Sequence, residues 1–198
     1  MTLRALFPIP LLLSLALLVG GCSSKSELYR LEPTIQNHEG TRTLREHRLL
    51  GIAEVDVADY LEKPELITRV SPTHLQPHDE QQWAGSLSGS IQAVLQENLS
   101  ALLPGVGILR YPWEEPLSDP YRLYVSIDRF DGDLNGTVTL SGRWSLIDRR
   151  EDRLVAAERF RYSAKGPAEK TDDIVQTQSS LLERLSRRIA SKIRAYYR

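Results

Sequence analysis

Three runs of alternating residues in the C-terminal half constrain this chain more than anything else in it. Tyr121, Leu123, Val125 and Ile127 are apolar with other residues between them; Val138, Leu140, Trp144 and Leu146 repeat the pattern around Gly142; Leu154 to Ala164 supplies a third run. A period of two puts one side of each segment into a core and the other into water, so each reads as a β-strand. Consecutive strands joined by short turns predict an antiparallel meander. Such a sheet has an apolar face that something must cover.

The cover is readable too. Asp79 to Leu103 has Trp83, Leu87, Ile91, Val94, Leu95, Leu99 and Leu102 at spacings of three and four, which predicts a helix with one apolar face, Asp79 as its N-cap and Pro104-Gly105 as its stop. A second helix follows Gly166-Pro167, capped by Thr171 or Asp172, with Ile174, Leu181, Leu185, Ile189, Ile193 and Tyr196 on its stripe. The expected fold is therefore α+β: a two-layer sandwich in which a largely antiparallel sheet is covered by two long amphipathic helices. Earlier segments add strands near Leu28 to Leu31, over Leu49 to Val57, over Leu66 to Val70 and over Val106 to Arg110. The polar stretch from Pro33 to His47 reads as a mobile loop, and Pro72 and Pro77 bracket another.

The first 21 residues are of a different kind. Arg4, an apolar run from Leu11 to Val19 and two glycines before the single cysteine, Cys22, make a secretory signal whose apolar run is shorter than the roughly 20 residues of a membrane span. The tetrapeptide VGGC resembles the bacterial lipoprotein signal, in which the cysteine becomes the first residue and carries diacylglycerol and an N-acyl chain; an ordinary cleaved signal is the other reading. The expected organisation is signal 1–21, lipidated cysteine and tether 22–26, and one α+β domain over 27–198. At about 3.3 to 3.6 Å per residue the tether Ser23 to Ser26 reaches about 14 Å. Acylated Cys22 leaves no thiol for a disulfide, a metal or a nucleophile. Cleavage would remove only Arg4 among charged side chains, leaving a net charge of −2. That balance argues against nucleic acid as a partner.

Each motif that could carry chemistry fails in its own sequence. DGDLNG at 131–136 starts like a calcium loop, but its twelfth position is Gly142 instead of a bidentate glutamate, and Asn135-Gly136 between alternating runs reads as a hairpin turn. GSLSG at 85–89 has Leu87 where a nucleophile elbow needs serine. His74 and His78 are four apart, yet Pro72 and Pro77 oppose a helix there, so they read as solvated loop histidines without a third ligand. No catalytic residue, metal or soluble cofactor is expected. Two surface candidates remain. Tyr60, Tyr111 and Trp113 stand beside prolines or in loops, as interface anchors or as plugs at the ends of the core. Arg184, Arg187, Arg188, Lys192, Arg194 and Arg198 against Glu183 give the last helix a local charge of +5, either a solvated face suited to the helix dipole or a contact for anionic headgroups or an acidic partner.

Taken in order, the lipoprotein signal, LYRLEP, IAEVDVADYLEKPELITRV, a tryptophan-led helix ending ENLSALLP, YPW at 111–113 and RLYVSIDRFDG resemble the PqiC-type ABC-transport auxiliary lipoproteins. The resemblance runs through most of the chain after the signal and weakens over residues 32–47 and the last helix. It implies a non-catalytic envelope lipoprotein that works with a permease-like inner-membrane protein and an MCE-domain protein in moving lipid between membranes and supporting outer-membrane integrity. It also implies a homo-oligomer as a possible state. Ser23, where an aspartate would signal inner-membrane retention, implies an outer-membrane anchor facing the periplasm. A lipoprotein of another envelope machine, or a hydrolase whose residues meet only in the fold, are the competing expectations.

Overall fold

A computed structural model describes residues 25–35, 48–113, 121–167 and 170–197. Residues 1–24 with the signal and Cys22, residues 36–47 of the expected loop, residues 114–120, residues 168–169 and Arg198 lie outside the described residues. In chain order the strands are β1 (Glu27–Tyr29), β2 (Leu49–Ile52), β3 (Asp56–Val57), β4 (Glu65–Ser71), β5 (His74–Trp83), β6 (Gly107–Arg110), β7 (Tyr121–Asp133), β8 (Thr137–Asp148) and β9 (Arg153–Lys165). Helix α1 (Leu87–Leu102) falls between β5 and β6, and α2 (Thr171–Ile193) follows β9 and ends in a 3-10 turn, Arg194–Tyr197. The class is α+β: the strands form one sheet whose long ladders are antiparallel, with the two helices packed together over it.

The expected meander is present, and its middle partner organises the sheet. One edge of β7 pairs with β8 over nearly its whole length, and β8 pairs with β9. The other edge of β7 is taken in turn by β2, β3 and β4, all parallel to it. Period-two alternation sends Leu123, Val125 and Ile127 of β7 and Val138, Leu140, Trp144 and Leu146 of β8 into the core. A bulge between Ile127 and Arg129 then shifts the phase by one residue. Phe130 enters the core in its turn, and Arg129 and Asp131 fall on the opposite face. Opposite the bulge, Gly142 lets the strands close: a Cβ there would stand 2.0 Å from the Ser126 carbonyl oxygen.

The helices bury the predicted stripes, with Leu87, Ile91, Val94, Leu95 and Leu99 on α1 and Leu181, Leu185, Ile189 and Ile193 on α2. Each such side chain contributes about 1.5–3 kcal/mol relative to exposure. Asn98 is fully buried between the helices, where its amide donates to the Ser186 hydroxyl at 3.3 Å.

Several local expectations are corrected. Residues 79–83 belong to strand β5, and α1 begins at Leu87 with Ser86 as its N-cap, accepting from the Gly89 amide at 3.2 Å. His74 and His78 lie on that strand as well, not in a loop, and His78 Nε2 shares a 2.8 Å hydrogen bond with Thr68 Oγ1. Pro77 is tolerated because β1 pairs only with Gln81 to Trp83, leaving the rest of β5 as an edge. Three residues of β5, Asp79 to Gln81, sit in a register shift against β4, which erases the alternation that marks a strand. Leu49 to Val57 is two short strands, interrupted at Ala53 to Val55. At the start of α2 the side chain that caps is Asp173, which accepts from the Lys170 amide at 3.2 Å. At its end Tyr197, not Tyr196, continues the buried i+4 row from Leu181.

Candidate functional site

The bulge in β7 creates the most heavily bonded polar group among the described residues. Asp131 has no exposed surface. Its Oδ2 accepts from the Tyr60 hydroxyl at 2.7 Å and from Arg69 Nη2 at 2.8 Å, and its Oδ1 accepts from Arg69 Nε at 3.0 Å and from Arg129 Nε at 2.8 Å. The side chains of Arg69 and Arg129 keep 17% and 23% of their surface, so the cluster carries one net positive charge at the edge of solvent. Burial, followed by the hydrogen bond to Asp131 and its negative charge, pushes the Tyr60 phenol well above its ordinary range. The hydrogen bond to Asp131 likewise holds the Arg69 guanidinium more firmly protonated than usual. All four carboxylate interactions come from the protein, so Asp131 ties β4, β7 and the 3-10 turn around Tyr60 together. Sequence reasoning flagged Asp131 only within a failed calcium motif and missed Arg69 and Arg129.

The rest of DGDLNG makes the β7–β8 turn. Asp133 Oδ1 accepts from the amides of Asn135 and Thr137, each at 2.9 Å, and the Gly136 amide donates to the Asp133 carbonyl at 3.0 Å. Gly136 alone of the Asn-Gly pair takes positive φ, +77°, so the turn is a type I reversal closed by a glycine bulge and not the primed turn that both residues allow. Leu134 sits at its apex, 65% exposed.

The other sequence candidates separate. Tyr60 lies half-buried on Asp131, while Tyr111 and Trp113 share a corner after β6 with rings edge-to-face at 5.5 Å. Tyr111 is 46% exposed, and the Arg122 guanidinium lies 5.0 Å from the Trp113 ring. On α2, Arg187 pairs with Glu183 at 2.8 Å, and Arg188 Nε pairs with both oxygens of Glu158 at 2.8 and 3.0 Å. Arg184 stands over the Tyr162 ring at 4.6 Å, and Lys192 is exposed. A hydrogen bond from Thr34 and then Arg187 hold the Glu183 carboxyl below its usual range. Of the six basic candidates, Arg184, Arg187 and Arg188 are thus engaged with the protein's own acids and rings, and Arg194 Nη2 donates to the Leu102 carbonyl at 3.0 Å.

The outward face of β7, β8 and β9 is left open. Arg143 and Arg159 are directly opposite one another on β8 and β9, beside Tyr124 of β7, and with Glu54, Asp56 and Ser145 they line a shallow trough of about 530 Å³. A second hollow of about 290 Å³ lies between β5, the β7–β8 turn and the start of α2, where Gln178 is 4% exposed and its Oε1 has no partner among the described residues. Among the described residues no three His, Cys, Asp or Glu side chains converge as a metal site, and no helix is long and apolar enough to cross a membrane. His78 and its hydrogen-bond partner Thr68 both line the second hollow.

What this scaffold belongs to is decided by comparison. The family model described as the ABC-type transport auxiliary lipoprotein component matches residues 29–190, from β1 to the last turns of α2. The chain belongs to this family. Among auxiliary lipoproteins, the Intermembrane transport lipoprotein PqiC of Escherichia coli (strain K12) is 27% identical over 182 residues, covering 90% of this chain and 94% of that one. The relative of the same name from Shigella flexneri gives the same figures. A crystal structure titled as an uncharacterized protein superposes with a TM-score of 0.71 at 26% identity, covering 85% of this chain and 99% of the other. A Xanthomonas campestris protein shares the fold, with a TM-score of 0.68 at 16% identity over 85% of this chain and 95% of its own.

Proposed function

We propose that this auxiliary lipoprotein is a non-catalytic subunit of an intermembrane lipid-transport system, anchored through acylated Cys22 to the periplasmic leaflet of the outer membrane and supporting that membrane's integrity. Its partners in this reading are an MCE-domain protein and a permease-like inner-membrane protein, with self-association into a homo-oligomer as part of the assembly. The observation that carries the reading is the extent of the family match, which takes in all nine strands but for the first two residues of β1, and α1. The chemistry agrees with it: Asp131 is saturated by its own arginines and tyrosine, and the open face of β7 to β9 with the exposed Tyr111 corner offers surface to a partner. Aromatic and arginine side chains are the residue types that anchor such interfaces.

Crosslinking in cells followed by affinity purification tests the proposal. Recovery of an MCE-domain protein is expected; recovery of a pilus or surface-assembly machine without one would overturn it. The anchor is tested separately by Cys22→Ser, which is expected to abolish acylation and release the chain from the membrane fraction. Unchanged fractionation with normal acylation would contradict that part.

A further inference from the structure

Register across the sheet fixes which end of the domain lies beside the anchor. Glu27 of β1 pairs with Gln81 of β5, whose neighbour Gln82 pairs with Glu65 of β4. Three residues further along β4, Thr68 pairs with Gly132 of β7. Because β1 and β5 run antiparallel to β4 and β7, stepping back from Glu27 to Lys25 moves in the direction in which β7 advances. Lys25 therefore stands about level with Gly132, and the turn apex at Leu134 lies about two residues, about 7 Å, beyond it.

From Lys25 to Cys22 the chain has three steps, which reach at most about 11 Å. Fully extended, the lipid-bearing residue clears the turn by only about 4 Å, less than the roughly 5–7 Å depth of a headgroup layer. The surface at this end suits such a position. Leu134, exposed at the apex of a turn, is joined by Lys165 and Lys170: the Gly166 amide bonds to the Gly136 carbonyl at 3.1 Å, and Lys170 lines the same hollow as Leu134.

We infer that the β7–β8 turn, with Leu134 at its apex and Lys165 and Lys170 beside it, rests in the headgroup layer of the anchoring membrane, with the sheet standing up from the bilayer. The inference builds on the acylation of Cys22 proposed above. It moves the membrane contact away from the basic residues of α2. That helix starts beside the turn at Thr171 and runs away from it, so Arg184 lies about 20 Å along its axis.

The acylated protein offers a direct test, because with Cys22 modified a single introduced cysteine is the only free thiol. Leu134→Cys and Leu154→Cys replace residues that are 65% and 59% exposed at opposite ends of the sheet, so neither disturbs the core. Each is labelled with an environment-sensitive fluorophore and placed in vesicles of phosphatidylethanolamine and phosphatidylglycerol doped with a headgroup-nitroxide lipid. The probe at 134 is expected to shift blue and be quenched, and the probe at 154 to behave as in buffer. Protein that floats with the vesicles but shows no quenching at 134, or equal quenching at both positions, overturns the inference while leaving the anchor intact. Labelling of a second thiol, with no flotation, would overturn the anchor and the inference with it.

Discussion

Removing the Asp131 carboxylate would leave two guanidiniums facing one another across β4 and β7. Breaking a buried ion pair by deleting one partner costs about 3–5 kcal/mol, out of a typical total stability of 5–15 kcal/mol. Here the lower end applies, because Arg69 and Arg129 keep 17% and 23% of their side-chain surface and turn partly to water. Asp131→Ala should therefore destabilise by about 3 kcal/mol. Arg69→Ala removes two of the four hydrogen bonds but leaves Arg129 and Tyr60 on the carboxylate, so about 1.5–2 kcal/mol is expected. The double variant should fall short of the sum by about 1–2 kcal/mol, since the two share one interaction. Urea unfolding of the lipid-free Cys22→Ser protein, followed through the buried Trp83 and Trp144, measures all three. Additivity within about 0.5 kcal/mol, or a loss below about 1 kcal/mol for Asp131→Ala, would refute the reading of this cluster as the tie between the strands.

Three further outcomes follow from the same geometry. Gly142→Ala places a Cβ 2.0 Å from the Ser126 carbonyl oxygen, and because that neighbour is backbone the cost should reach about 3 kcal/mol or more in the same urea assay. The Tyr60 phenol has a raised pKa in the fold, so its contribution is intact below the ordinary phenol range and is lost as the pH climbs through the folded value; Tyr60→Phe should flatten the fall of stability with alkaline pH that the parent shows. Neutralising Arg184, Arg187, Arg188 and Lys192 together to glutamine should leave flotation of the acylated protein with anionic vesicles unchanged, given the pairings to Glu183, Glu158 and Tyr162. A clear loss of flotation would return the membrane contact to that helix.

The meander and both helix stripes were readable because burial on one side leaves a regular period in the sequence, as in Leu123 to Ile127 or Leu181 to Ile193. Where the period is broken, the sequence misled. The register shift at Asp79 to Gln81 hid the second half of β5, and a polar run before Trp83 resembled a helix start. The bulge after Ile127 reversed the alternation, so that Asp131 could not be placed on either face from its spacing. Its partners Tyr60 and Arg69 stand 71 and 62 residues away, brought close only by the parallel pairing of β3 and β4 with β7. Parallel pairing of that kind has no local signature, since it depends on which strand edges remain free after the meander closes. Family membership was readable from the order of segments, and the exposed residues that would meet a partner or a membrane were not, because single exposed side chains carry no period at all.

A photo-crosslinking amino acid in place of Tyr111, exposed at the corner it shares with Trp113, tests the proposed role most directly. Irradiated in living cells, it is predicted to capture an MCE-domain protein, with capture lost when that partner is deleted. Adducts solely with proteins of another envelope machine would contradict the assignment to intermembrane lipid transport.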